Sequence, residues 1–546
     1  MCGIFCYLNK KDKVEENYLK ELSNKSFKRG PESFSFKKMN ETIYFGFNRL
    51  AINGLNTISD QPLYYKKMSL ICNGEIFNYK ELIETYNLEV STQSDCEVIL
   101  HLYEKFGYES FSLLKGEFSF IILDNSNLVV CRDAFGIRPL YINENEDGII
   151  FSSVLSLNKN DNTINQFKPG TYCVYQQDGT IDTDGQYYNI HNIPTHYNSE
   201  YECRKKTYEL LCESVHKRIR TSEREVGCLL SGGLDSSLIA GIASRYYKKQ
   251  GKVLKTFSIG MIGSEDLYFA EKVAKHIGSD HTEFLCDAEE FLNSINDVIY
   301  DIESYDTTTV RASVGNWLLG KKIKEVSECK VILNGDGADE LMGGYLYFNL
   351  CKDDDEFDKE CKRLLNNIHY FDVLRSDRSI SSHGLEPRTP FLDNDFVSFY
   401  MSIPIYYRKQ KKVEKEFIRN TIQEFDIDLL PYEVLWRQKE AFSDGVSNIT
   451  KSWFQIIQER LQDYKSIHCL EENLTNEQKY FKDIFINLFE QNTDLIPYYW
   501  MPKYSNTNDP SARTLSIYNN TTFYKYINII KEFFSVMFVK FQRKFC

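Results

Sequence analysis

Short apolar runs bounded by turn residues dominate the first 190 positions: "IYFGFNRLAI", "MSLICNGEIF", "FSFIILD", "NLVVCRD" and "GIIFSSVLSL". Each predicts a β-strand. One stretch has a different period. In "SDCEVILHLYEKFG" the apolar positions Val98, Leu102 and Phe106 recur at helical spacing, and Gly107 ends the run. The polar stretch "IHNIPTHYNSEYEC" then predicts a linker over 191–203. From 204 the rhythm alternates. "EVGCLL", "VLKTFSIG", "HTEFLCD" and "KVILNG" read as strands. "LIAGIASRYYKK", "DLYFAEKVAKHIG" and "VRASVGNWLLGKKIKEV" read as helices between them. Such alternation predicts a parallel sheet with helices on both faces. Beyond 345 the pattern is mostly helical, and no internal repeat occurs. The expected organisation is one domain over 2–190, the linker, a second domain over 204–510 and a tail over 511–546. The closing "INIIKEFFSVMFVKFQRKFC" is amphipathic and basic, and a docked or frayed helix is a better reading of it than a membrane contact.

Composition narrows the function. The 546 residues exceed what one core organises. A net charge of −13 argues against a phosphate-backbone partner, so no nucleic acid is expected. No apolar run is long enough to span a bilayer, so no membrane partner is expected. The fifteen cysteines include no CxxC pair, and Cys72, Cys96, Cys131, Cys228 and Cys329 lie in apolar runs. Buried free thiols in a reducing, cytoplasmic compartment fit this best.

Ligands of a parallel α/β sheet sit at the carboxyl ends of its strands. Two loops fall there, "SGGLDSS" (231–237) and "NGDGADE" (334–340). Glycines let backbone amides approach an anion, and a following helix adds its dipole. Asp235 would repel a bare phosphate but suits Mg²⁺ held jointly with phosphate oxygens. No GxxxxGK[ST] motif is present, so simple γ-phosphate chemistry is not indicated. A lone SGG turn is ordinarily only a turn. Joined to a second loop with two Asp and a Glu in five residues, it reads as a nucleotide and metal site.

The chain opens "MCGIF". Removing the initiator Met would leave Cys2 with a thiol and a free α-amine. The two groups titrate near about 8.5 and 8, so the amine can act as base for the thiol. "MCGIF", "RGPE", "FGFNRLAI", "DQPLY", "CNGEIFN", "SDCEVI", "GEFSF" and "RDAFGIRPLY" resemble the class II glutamine amidotransferase domain. "SGGLDSS" resembles the ATP loop of enzymes that release AMP and pyrophosphate. "SYDTTTVRAS", "GLEPRTPFLD", "LPYEVLWRQKEAFSDGV" and "NDPSAR" extend the likeness over nearly the whole chain to the glutamine-hydrolysing asparagine synthetase family.

The resemblance implies an α+β N-terminal-nucleophile hydrolase domain, an αββα sandwich, followed by an α/β parallel-sheet domain of the adenine-nucleotide α-hydrolase-like kind. It implies that Cys2 attacks the side-chain amide of glutamine, with Asn73 and Gly74 stabilising the oxyanion. Arg49 would hold the glutamine α-carboxylate, Asp95 and Glu75 the α-ammonium, and Leu50 and Ile52 would complete the pocket. ATP, a co-substrate, would lie on Leu229, Ser231, Gly232, Gly233, Asp235, Ser236, Ile259, Asn334 and Gly335. Mg²⁺ would sit between Asp235 and Asp339. Asp336 and Lys439 would serve formation of β-aspartyl-AMP, with Thr308, Thr309 and Arg311 as candidate contacts to aspartate or pyrophosphate. The substrates implied are glutamine, aspartate and ATP, and the likeness leaves room for a homodimer.

Three departures from the family pattern stand out. Relatives usually place Glu where Asp336 stands. Ser153 and Leu155 replace a Glu and a Lys, which predicts looser coupling of the two reactions. The final "FFSVMFVKFQRKFC" matches nothing. Two rival readings are an amidotransferase–ligase acting on another carboxylate, and a sensing or scaffold protein with decayed sites. Intact Cys2, Arg49, Asn73, Asp95, Asp235 and Lys439 weigh against decay.

Overall fold

The computed structural model describes residues 1–515 except 12–14, 156–163, 410–411, 440–444, 448–450, 470, 491, 508 and 512–514. The basic end of the chain therefore lies outside the described residues.

Two six-stranded sheets fill the first half. One runs, in spatial order, 164–166, 141–144, 148–152, 3–9, 43–49 and 33–38. The other runs 181–186, 171–175, 127–132, 116–124, 68–76 and 63–65. Their facing sides bury Ile4, Cys6 and Phe45 against Ile71, Ile121 and Val130. Leu19 and Leu22, from the helix Glu16–Asn24, pack on the outer face of the first sheet at Phe5, Tyr7 and Tyr44. Leu82, Val98, Leu100 and Leu102 cover the second at Phe120, Ile122 and Val129. This is a helix–sheet–sheet–helix sandwich, as expected. The apolar stripe of the helix Glu97–Phe106 stops at Leu102, because Phe106 is exposed. Gly107 ends that helix at φ +58°, a conformation that costs a residue with Cβ.

The second half carries a five-stranded parallel sheet in the order Asp280–Leu285, Lys255–Gly260, Val226–Leu229, Val331–Leu333 and Glu386–Arg388. The last strand was not expected; its three residues, Glu-Pro-Arg, carry no strand pattern. The helix Leu234–Lys248 starts four residues earlier than its apolar run. Asp235 thus falls in the first turn, where a carboxylate suits the helix dipole. The polar stretch over 191–203 is also partly helical. Ser199 and Glu202 form a capping box that starts the helix Glu200–Arg220.

The halves share a core. Leu50, Ile52, Phe135 and Ile137 pack with Ile219, Leu234 and Phe391. Buried ion pairs cross the same boundary: Arg29 with Asp377 at 2.8 Å, and Arg138 with Asp377 at 3.1 Å. Leu155, where looser coupling was expected, is buried and donates its amide to Glu303 at 2.5 Å. The Glu303 carboxylate also takes the Tyr141 hydroxyl at 3.0 Å and Arg378 at 3.0 Å. The segment is therefore tied across the boundary by the Leu155 amide and side chain in place of the charged pair of relatives. Among the described residues no helix is long and apolar enough to cross a membrane.

Two candidate active sites

Cys2 immediately precedes the strand Gly3–Asn9, and its thiol donates to the Leu50 carbonyl at 3.6 Å. Met1 precedes it in the chain, buried, with its ammonium donating to Leu385 O at 3.1 Å. With that residue in place the Cys2 nitrogen is a peptide amide and no base. Burial pushes the thiol up to about 12 and the Met1 ammonium down to about 6. Activation at Cys2 therefore requires cleavage of the Met1–Cys2 bond.

Asn73 is fully buried in the strand Met68–Ile76. Its amide nitrogen lies 3.5 Å from Ser153 Oγ, a weak bond that leaves a donor available, and its Oδ1 has no partner. Gly74 pairs with Phe118, and an added Cβ would meet Glu117 O at 2.3 Å, so only glycine fits there. Asp95 accepts from Ile76 N at 2.7 Å, and burial raises its carboxyl to about 6. Glu75, 5% exposed, accepts from Asn53 at 2.5 Å; burial and then the Asp95 charge push it well above the carboxylate range.

Arg49 does not face an open pocket. Its guanidinium donates to Asn56 O at 3.0 Å, to Asp60 Oδ1 at 2.5 Å and to the Gly54 carbonyl, binding the 53–60 loop. Leu50 and Ile52 bury their side chains in the shared core. Their carbonyls accept from the Cys2 thiol and from Glu223 N at 3.1 Å. Any role for them in binding glutamine falls to those carbonyls.

The second site is a cavity at the carboxyl edge of the parallel sheet. Leu229, Ser231, Gly233, Asp235, Ser236, Ile259, Asn334, Gly335, Asp336, Asp339, Thr308 and Lys439 all line it. Ser231 and Ser236 hydroxyls lie 3.0 Å apart, and Ser236 Oγ accepts from Ser231 N at 3.1 Å. Gly232 is not on the wall. At φ +70° its added Cβ would meet Ala270 N at 2.4 Å, so it packs the loop onto the helix Glu265–Ile277. Thr309 is also off the wall; its amide and hydroxyl bind Asp306, which caps the helix Thr307–Val326. Arg311 is buried between Glu477 at 2.8 Å and Asp509 at 2.9 Å. Of the three candidate contacts only Thr308 reaches the cavity, because the other two are spent on holding elements together.

Several lining residues were missed. Lys415 is buried at φ +56°, with Nζ 2.5 Å from Asp235 Oδ2 and paired to Asp339 as well. An added Cβ on Gly344 would meet Asp339 Oδ1 at 2.0 Å and Lys415 Cε at 2.1 Å, so the second glycine of "MGGY" makes room for this pair. Lys439 joins Asp339 at 2.5 Å. Burial pushes the Asp339 carboxyl up, but the two lysines more than reverse it, holding it below the usual range. Asp235 Oδ1 is buried without a partner. Deeper in the cavity Arg375 bonds Asp336 at 2.8 Å and Asp372 at 3.1 Å. Among the described residues no cluster of three or more His, Cys, Asp and Glu could hold a metal. Two carboxylates with one orphan oxygen have the donor chemistry that a Mg²⁺ completing its shell with phosphates and water would use.

A half-buried cysteine at position 2 of a two-sheet sandwich, joined to a parallel-sheet cavity lined by glycine-serine and acidic loops, fits a two-site glutamine amidotransferase–synthetase. Known proteins agree. The glutamine amidotransferase domain family model matches residues 1–208, and the asparagine synthase model matches 206–354 and 349–509. The chain is 38% identical to the glutamine-hydrolysing asparagine synthetase of Homo sapiens, over 95% of this chain and 99% of that one. It is 38% identical to the Bos taurus enzyme and 39% identical to that of Cricetulus griseus, with the same two coverages. The chain belongs to the glutamine-hydrolysing asparagine synthetase family.

Proposed function

We propose that this chain converts aspartate to asparagine with ATP, taking nitrogen from glutamine. The observation that carries this reading is the likeness to those synthetases over nearly the whole chain, both halves included. Cys2, freed of Met1, attacks the glutamine amide, and Asn73 and Gly74 N–H groups stabilise the oxyanion. Asp95 and Glu75 receive the α-ammonium. Arg49, once released from the 53–60 loop, offers a fork for the α-carboxylate.

In the other half, Ser231, Gly233 and Ser236 receive the phosphates, with Leu229 and Ile259 against the nucleoside. Asp235 and Asp339 hold Mg²⁺, which when bound neutralises phosphate charge. Lys415 and Lys439 supply cations to the pyrophosphate that leaves. The aspartate β-carboxylate attacks the α-phosphorus, and Asp336 and Arg375 orient it. Ammonia then attacks the β-aspartyl-AMP, giving asparagine and AMP. Fourteen free thiols among the described residues favour a reducing, cytoplasmic setting. The decisive assay supplies ATP, Mg²⁺, aspartate and glutamine and follows AMP and asparagine together. AMP without asparagine would reject aspartate as the acceptor.

Two consequences follow directly. Asp95 must be ionised to hold an ammonium, and burial has raised its carboxyl to about 6. The KM for glutamine should therefore rise as pH falls through 6, while ammonia-supported synthesis keeps its own profile. Parallel pH series with the two nitrogen donors check this. Lys415→Met removes the cation shared by Asp235 and Asp339. Aspartate-dependent pyrophosphate release should fall on the order of 100-fold, since the transition-state charge loses a desolvated partner. Release within about twofold of the parent would remove Lys415 from the reaction.

A further inference from the structure

The unexpected strand Glu386–Arg388 belongs to the synthetase sheet, but Arg388 reaches Glu75 in the first half. Its backbone pairs in parallel with Val331–Leu333. Glu386 N donates to Lys330 O at 2.7 Å, and Arg388 O accepts from Asn334 N at 3.2 Å. Asn334 is the first residue of the acidic loop that contains Asp336. The side chains point to different business. Arg388, with no exposed surface, places Nε 2.7 Å from Glu386 and Nη2 3.3 Å from Glu75. Its remaining donors go to Arg218 O at 2.5 Å and Thr221 Oγ1 at 3.1 Å. The residue before the strand, Leu385, accepts the N-terminal ammonium at 3.1 Å. Two buried carboxylates thus share one buried guanidinium, beside the chain's own start.

We propose that Glu386 and Arg388 are positioning residues of the glutaminase: Arg388 fixes Glu75, and Glu386 holds the Arg388 guanidinium in place. Glutamine hydrolysis then depends on a strand whose backbone is bonded to the ATP-site loop. This rests on the two-site reading above and adds a physical link between the sites. The link is short: Glu75 to Arg388 through one ion pair, and Arg388 to Asn334 through one peptide hydrogen bond. Both components are desolvated, so neither is weakened by screening in water.

Glu386 accepts from Arg388 Nε at 2.7 Å, so loss of its charge frees the guanidinium to shift away from Glu75. Glu386→Gln keeps the shape and the hydrogen-bonding reach. For this variant the glutaminase kcat/KM should fall about tenfold, as expected when a substrate-positioning group is misplaced. The loss should fall mainly on KM for glutamine, through Glu75, and ammonia-supported synthesis should stay within about twofold of the parent. Arg388→Lys keeps a positive charge but cannot bridge Glu75 and Glu386 while serving two backbone segments. Its glutamate-to-asparagine ratio should rise above that of the parent.

A Glu386→Gln enzyme with unchanged glutaminase and an unchanged KM for glutamine overturns the proposal while leaving the two-site reading intact. Equal losses with glutamine and with ammonia overturn it too, since they mark a residue needed only for folding. An unmodified chain that makes no asparagine from ammonia, aspartate and ATP overturns the two-site reading itself, and this proposal with it.

Discussion

Cys2→Ala should lose glutamine-supported asparagine formation by on the order of 10⁴-fold, the usual scale for deleting a covalent nucleophile, with ammonia-supported formation nearly unchanged. The contrast follows from the geometry. The Cys2 thiol makes one weak hydrogen bond, to Leu50 O at 3.6 Å, so its removal disturbs little packing. Among the described residues, none that lines the ATP-site cavity is hydrogen-bonded to Cys2. The same variant should fail to form a covalent adduct with a glutamine-mimicking electrophile that labels the parent chain. A chain that retains Met1 should behave like Cys2→Ala, because its Cys2 nitrogen is an amide and its thiol is pushed up to about 12. The mass of the intact N-terminus, read beside activity, separates the two causes. Glutamine-supported synthesis that survives in Cys2→Ala would require another nucleophile and dismantle the first site.

What the sequence made legible was local. "SGGLDSS" and "NGDGADE" are each contiguous, sit at strand ends and reached the same cavity. Period-two apolar runs found the central strands, because each buries one or both faces and apolar residues must fill them. What it concealed was everything that depends on distant segments meeting. Lys415 lies in "KVEKEF", with no mark of its role until Asp235, Asp339 and Gly344 are brought beside it. Arg311 has the same chemistry whether it binds substrate or joins Glu477 and Asp509, and only packing decides. The strand Glu386–Arg388 is three residues long and contains Pro387, so period and propensity both argued against it. It survives as the outermost strand of its sheet, the one place where proline's missing donor costs least. Leu50 and Ile52 were identified by motif but face the core, so a motif gives the segment and not the direction of its side chains.

Asp336→Asn should abolish aspartate-dependent pyrophosphate release, a loss on the order of 100-fold or more. Asp336 lines the ATP-site cavity, with Oδ1 held by Arg375 at 2.8 Å and Oδ2 buried without a partner. Burial pushes its carboxyl up, while Arg375 pulls it back down. An asparagine there leaves the Arg375 guanidinium with Asp372 as its remaining anion and replaces one acceptor by a donor. Arg375 would then rotate toward Asp372 or toward the incoming β-carboxylate, and in either case the substrate loses its alignment with the α-phosphorus. Asp336→Glu tests the length of the arm separately from its charge. Relatives commonly carry that longer side chain, and here one methylene would bring the carboxylate about 1 Å further into the cavity. A rate above that of the parent would show that the shorter acid limits adenylation; a lower one would show that Arg375 and Asp372 have set the cavity to the shorter arm. Unchanged release in Asp336→Asn would remove Asp336 from the mechanism and leave Lys415, Lys439 and Asp235 to carry the step.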